Sequence, residues 1–409
     1  MKMPLLIVAA LFSGAQIPAQ SPASAPAPSA VTADQAEAVK GSNAFAVSLY
    51  AQLHSQPGNL FFSPESISTA FAMAYAGARG QTASQMAGVF HFTLPPGRLH
   101  PAMGALIAQM NQKNPSYRLS VADALWAQQN RNFQPAYLNL VAANYPGAFH
   151  QVDFLLAPEA ARSTINRWIE EQTNNKIQNL VPPGAIAPTT RLVLTNAIYF
   201  KGDWLQPFDK GATADADFHL SSTQTVKAPF MHRTAGFNFF DGAAFQMLEL
   251  PYKGNALSMI VLLPNDVSGL PAIERSLTPD SLTGWIAELR PAPKVIVALP
   301  RFTMTQQFEL SNALAAMGMP QAFSASADFS GIAGARDFTI SAAIHKAYID
   351  VNEAGTEAAA ATSVIMRATA VRVEPPPIVF RADHPFLFLI RDIRSGAILF
   401  LGRVIDPAK

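Results

Sequence analysis

The 409-residue chain has no cysteine. Its fold therefore has no disulfide framework, no thiol nucleophile and no lipid-anchored cysteine, and packing alone must hold it together. Charge is also sparse: 14% of residues are Asp, Glu, Lys or Arg, and the formal net charge is +1. No run of Lys and Arg is long enough to follow a phosphate backbone. That excludes nucleic acid as a partner and speaks against a polyanionic polysaccharide as regulator. The local signatures of common hydrolases are missing too. There is no Gly-x-Ser-x-Gly elbow, no Ser-x-x-Lys and no zinc-binding His-Glu-x-x-His, so no metal or cofactor is expected. A secreted hydrolase would have to rest on a scattered Ser-His-Asp set that no local pattern reveals.

What the chain does have is apolar bulk. At 49% hydrophobic over 409 residues it can bury a large core, in one big domain or two smaller ones. Lys2, the apolar run Leu5–Phe12 and the small residues Ser13-Gly14-Ala15 read as a secretory leader over residues 1–19, cleaved after Ala15 or Ala19. The competing reading is a buried N-terminal segment; the run is too short to span a bilayer. Residues 20–33, rich in Pro, Ala and Ser, read as a spacer. One domain is then expected over residues 34–409, in a protein that is secreted or periplasmic.

Within that domain the early part reads as helical. Phe45, Leu49 and Leu53 recur at helical spacing, as do Ile165, Trp168 and Ile169. Ser63-Pro64 starts a helix, with a capping hydroxyl before a proline at the first helical position. Ile67, Ala70, Phe71 and Ala74 mark its buried face, and Gly77 and Gly80 end it. The later part reads as strands: Arg191–Phe200, Ala256–Leu263, Val295–Leu299, Ile340–Val351, Ile378–Phe380, Phe386–Ile390 and Ala397–Val404. Early helices followed by strands indicate an α+β class with large mixed or antiparallel sheets.

Between two strong strand signals lies a stretch of about 25 residues from Glu353, with no turn signal before Pro375-Pro376-Pro377. Loops this long in compact domains are usually functional or disordered. One alternating set is Thr356, Ala358, Ala360, Thr362, Val364, Met366 and Ala368, all small or apolar. The other set, from Glu357 to Thr369, is more polar. This period of two suits a strand with one face buried. An alanine-rich helix capped by Thr356 fits the composition as well.

The run Glu353-Ala354-Gly355-Thr356-Glu357, followed by Ala358 to Ala361 and Thr362, resembles the hinge of inhibitory serpins. Asn59–Ile67 (NLFFSPESI), Thr195–Trp204 (TNAIYFKGDW), Leu299–Phe302 (LPRF), Ala327–Ile332 (ADFSGI), His345–Ala347 (HKA), Phe380–Phe388 (FRADHPFLF) and Gly402–Val404 (GRV) are similar to serpin motifs at matching places. The resemblance covers nearly all of the chain after the spacer. It implies three β-sheets, about nine helices and an exposed reactive-centre loop on a metastable native state. A serine protease would attack the loop, form an acyl-enzyme and be trapped covalently as the loop inserts into a sheet. The fourteen residues Thr356–Thr369 would span about 46 Å at ~3.3 Å each. One added hydrogen bond per residue, at about 0.5–1.5 kcal/mol, would release on the order of 7–20 kcal/mol. That rivals the whole stability of an ordinary domain, so the uncut form would be held by a kinetic barrier.

The resemblance also implies roles. Glu353, Gly355, Thr356, Glu357, Ala358, Ala359, Ala360, Ala361 and Thr362 would be the hinge. Ser63, Ser66, Asn196 and His345 would form a polar cluster that lets the sheet open. Trp204, Arg301 and Glu353 would sit where the loop first enters. Each has a plainer reading: Ser63 as a helix cap, His345 as a satisfied core histidine, Glu353–Arg301 as a surface ion pair. The scissile bond would be Thr369–Ala370, with Ala368–Thr369 and Ala370–Val371 as alternatives, and the target an elastase-like or subtilisin-like protease. Cleavage at Arg367 or Arg372 would instead imply a trypsin-like target. The protein would act as a monomer. A non-inhibitory binding or chaperone protein on the same fold is the other functional class.

Overall fold

The computed structural model describes residues 30–112, 114–354 and 377–409. Thr32–Lys409 is one compact unit; of the other, Met1–Val31, only the last two residues are described. From the N-terminus, α1 (Ala33–Leu53), β1 (Leu60–Phe62), α2 (Pro64–Gly77), α3 (Gly80–Phe90) and α4 (Pro96–Met110) precede β2 (Tyr117–Gln128). Next come α5 (Pro135–Asn144), β3 (Phe149–Val152) and α6 (Pro158–Gln172). Then follow β4 (Leu192–Gly202), β5 (Asp209–His219), β6 (Thr225–Asp241), β7 (Phe245–Pro251) and β8 (Leu257–Pro264). Two short helices, α7 (Leu270–Ser276) and α8 (Pro279–Ala287), lead to β9 (Arg290–Pro300), β10 (Phe302–Glu309), α9 (Ser311–Ala316) and α10 (Ser330–Ala333). The chain ends through β11 (Ile340–Val351), β12 (Ile378–Arg381), β13 (Phe386–Asp392) and β14 (Ile398–Val404).

Local chemistry sets the element ends. Thr32 caps α1 in a reciprocal capping box with Gln35. Ser63 caps α2, accepting from the Ser66 amide, with Pro64 at the first helical position. Gly77 closes α2. Asn174 and Asn175, just past α6, take positive φ, which asparagine tolerates better than most residues.

The described strands form two hydrogen-bonded sheets. One runs β10-β11-β4-β2-β3, and the other runs β1-β14-β13-β8-β7-β6-β9-β12 with β5 also on β6. The resemblance implies three sheets. Two of them are joined here because the long β6 pairs with β7 at its C-terminal end and with β9 and β5 toward its start, so one ladder passes into the next. The α+β architecture expected from the sequence is the one these residues form.

The five-stranded sheet is covered on both sides. Leu192, Leu194, Ile198 and Phe200 of β4 face the large core with α2, while Val193, Ala197 and Tyr199 face a second cluster with Ile165 and Ile169 of α6. Burial on both faces explains why β4 reads as a continuous apolar run instead of an alternating one. Among the described residues no helix is long and apolar enough to cross a membrane.

Candidate functional site

The feature on which the site is built is a parallel seam. β11 pairs directly with β4, from Ile340 opposite Leu192 to Ile349 opposite Phe200, with β2 antiparallel on β4's far side. In this register one row crosses three strands: Asp123 on β2 faces Asn196 on β4, and Asn196 faces His345 on β11. The start of α2 lies under this row, so Ser63, Ser66, Asn196 and His345, far apart in sequence, come together in one buried network.

Its bonds run in a single direction. The Ser63 amide can only donate, and it donates to His345 Nε2 at 3.2 Å. The proton of the neutral ring therefore sits on Nδ1, which donates to Asn196 Oδ1. The Asn196 amide nitrogen donates to Ser66 Oγ and to Asp123 Oδ1. Ser66 Oγ donates to the same Asp123 oxygen at 2.9 Å. His345 is wholly buried and its ring lies parallel to Phe308, with centroids 6.3 Å apart. Burial pulls its pKa down to about 3, so the ring is neutral throughout the physiological range.

Asp123 was not among the residues singled out from the sequence. A lone acid inside the apolar run VADALWAQ was the available signal, since a strand buried on both faces leaves a charge no exit. Burial pushes its carboxyl well above the ordinary carboxylate range, against the pull of the Ser66 and Asn196 bonds. Glu65, next to Ser66, was also passed over, because an acid in the first turn of a helix normally faces water. Here it is 1% exposed.

The second predicted group meets at the end of the seam. The Trp204 amide donates to the Ala354 carbonyl at 3.0 Å, and Trp204 Nε1 donates to the Asn352 carbonyl at 2.9 Å. Stacking on Tyr252, with centroids 4.4 Å apart, fixes the indole. Glu353 is buried; it accepts from Thr213 Oγ1 at 2.8 Å and lies 3.6 Å from Arg301, whose side chain is half exposed. The hinge residues Gly355, Thr356, Glu357, Ala358, Ala359, Ala360, Ala361 and Thr362, and the Thr369–Ala370 bond, lie outside the described residues.

The pattern of the serpin (serine protease inhibitor) family matches residues 40–407. The chain belongs to the serpin family. Bovine leukocyte elastase inhibitor is 43% identical over 372 residues, covering 89% of this chain and 97% of that protein. An uncharacterised serpin-like protein of Thermococcus kodakarensis is 40% identical over 90% of this chain and 85% of its own. Among solved structures, a highly specific serpin of the insect Tenebrio molitor superposes with a TM-score of 0.79 at 34% identity, over 90% of this chain and 98% of that one.

The leukocyte elastase inhibitors correct the expectation of a secreted or periplasmic serpin. The 372 aligned residues are 97% of the bovine protein, which leaves it about a dozen residues in all, fewer than the predicted leader. Secretion has no support in this comparison.

Proposed function

We propose that this serpin is a suicide-substrate inhibitor that traps a serine protease as a covalent acyl-enzyme by inserting Thr356–Thr369 between β4 and β11. In this reading Ser63, Ser66, Asn196 and His345 hold the seam shut, Trp204, Arg301 and Glu353 form its mouth, and the single domain works as a monomer. The observation that carries the reading is the direct parallel pairing of β11 with β4. A segment leaving the end of β11 and turning back between the two strands would run antiparallel to both. One parallel ladder would be exchanged for two antiparallel ones, which are slightly more stable per residue.

The gain follows from the register. The seam pairs nine residues of β4, Leu192–Phe200, so one extra ladder adds roughly nine bonds. At about 0.5–1.5 kcal/mol net each, that is ~5–14 kcal/mol. The composition of the segment agrees: Thr356 and Ala358–Ala361 can pass between strands without a bulky side chain to bury. Relatives named leukocyte elastase inhibitor support a protease that accepts a small or apolar residue, consistent with cleavage at Thr369–Ala370.

The test is incubation with elastase-, subtilisin- and trypsin-like proteases. The expected result is an SDS-stable complex with one of the first two, and a released C-terminal peptide whose mass places its start at Ala370 to within one residue. Cleavage beside Arg367 or Arg372 would overturn the target class, and turnover of the chain by every protease without a stable complex would overturn inhibition.

A further inference from the structure

The seam holds more acid than its polar network needs. Asp123 Oδ1 receives both the Ser66 and Asn196 bonds, yet Asp123 Oδ2 meets no donor among the described residues. One residue away from Ser66, neither oxygen of Glu65 meets a donor in bonding geometry. The Ser42 hydroxyl on α1, which lies against Glu65, donates to Ser68 at 3.4 Å. A small cavity beside Glu65 is lined by Leu106, Met110 and Asp392. An ionised carboxylate in such a place costs far more than a neutral acid, because the bonds on Asp123 Oδ1 and the Ser42 hydroxyl beside Glu65 replace only part of the water it gave up.

The charged surroundings do not relieve the cost. From β2, Asp123 faces Glu65 of α2, an acid facing an acid. From β13, Asp392 also faces Glu65, and Arg394 lies 3.8 Å from Asp392. From β11 comes His345, which is neutral; the polar side chains that α1 and α4 bring toward this point are Ser42 and Gln109. Among the described residues no cation pairs with either carboxyl.

We propose that Asp123 and Glu65 are positioning residues of the sheet-opening step: their buried neutral carboxyl groups hold α2 and β2 against β4, and loss of their protons loosens the seam between β4 and β11. This rests on the insertion reading above. When β4 parts from β11, Asn196 loses His345, polar groups reach the row, and both acids can ionise. Opening is then coupled to proton release and quickens as pH rises. Glu65 has an ordinary value of 4.5 and is pushed up to about 7 by burial, with Asp123 displaced the same way. Linkage through Glu65 alone then makes opening about fourfold faster at pH 8.5 than at pH 6.5, and the raised Asp123 acts with the same sign. His345 works in the opposite direction around and below its ordinary 6.5, and across this window it takes back about a factor of two.

The experiment follows spontaneous conversion of the intact, full-length protein on warming below its melting point, by native gel, at pH 6.5, 7.5 and 8.5. Wild type, Glu65→Gln and Asp123→Asn are compared, since each amide keeps the shape and cannot ionise. The expected result is a rate that climbs at least about twofold across the window in wild type and less steeply in each variant, and that falls by up to about twofold when both changes are combined and only His345 titrates. An identical pH ratio in wild type and the double variant overturns the inference. Nicking the segment after Glu353 at pH 6.5 separates the two levels. If the nicked wild type gains no thermal stability, the insertion reading itself fails; if it does gain stability while the ratios coincide, only the role of the carboxyls fails.

Discussion

His345→Ala is the sharpest perturbation of the seam. The ring accepts from the Ser63 amide and donates to Asn196 Oδ1, and its removal leaves both groups buried without a partner. Each buried unpaired group costs about 1–3 kcal/mol, and the lost ring beside Phe308 adds a cavity. These costs fall on the closed form. Insertion separates β4 from β11 and breaks the Asn196–His345 bond in any case, so the opened form feels the substitution less. The barrier to opening should therefore fall by at least the value of one bond, ~1–3 kcal/mol, and conversion should quicken about 5- to 150-fold. The assay is the rate of loss of the native band at a fixed temperature below melting. A melting point that drops while this rate stays unchanged would show that His345 is an ordinary core residue, with no part in opening.

Other outcomes follow from the same geometry. Trp204→Phe keeps the stacking on Tyr252 but removes the Nε1 bond to the Asn352 carbonyl, which ties the end of β11 to the end of β4. Conversion should quicken about fivefold for the ~1 kcal/mol lost, and an unchanged rate would remove Trp204 from the mouth of the seam. Thr356→Arg places a long charged side chain where the inserted strand must begin. The variant should be cleaved as a substrate with little or no SDS-stable complex; complex formation at the wild-type yield would rule out insertion through that residue. Acidification should weaken the closed form through His345: its depressed pKa makes its contribution complete above about 6.5 and lost as pH falls toward 3. Melting curves between pH 6.5 and 4 should show a loss that His345→Ala lacks.

Much of the architecture was legible because the signals were local. Ser63-Pro64 marked the start of α2 by cap chemistry, and Ile340–Val351 matched β11 from end to end. Residues 192–200 read as a strand because burial on both faces demands a continuous apolar run. Where the signal was not local, the reading failed. β2 lies in the stretch read as helical, and its alanines and leucines favour helix; only its place between β3 and β4 makes it a strand. β5 is mostly exposed and rich in Ala and Asp, so it shows no apolar alternation. The polar cluster was found through the resemblance, not through spacing, since its members lie on α2, β4 and β11 and only register aligns them. Asp123 and Glu65 escaped for the complementary reason. Their neighbourhoods in sequence look ordinary, and their burial is a property of packing.

The central claim concerns the intact form, which has a lower-energy arrangement within reach of a single cut. The most direct measurement is the melting temperature of the protein before and after limited proteolysis within residues 355–376, with the fragments left together. A gain of ~5–14 kcal/mol spread over the unit Thr32–Lys409 should raise melting by at least about 6 °C and add strand signal in circular dichroism. Cut and intact protein melting at the same temperature, with unchanged strand content, would contradict the account.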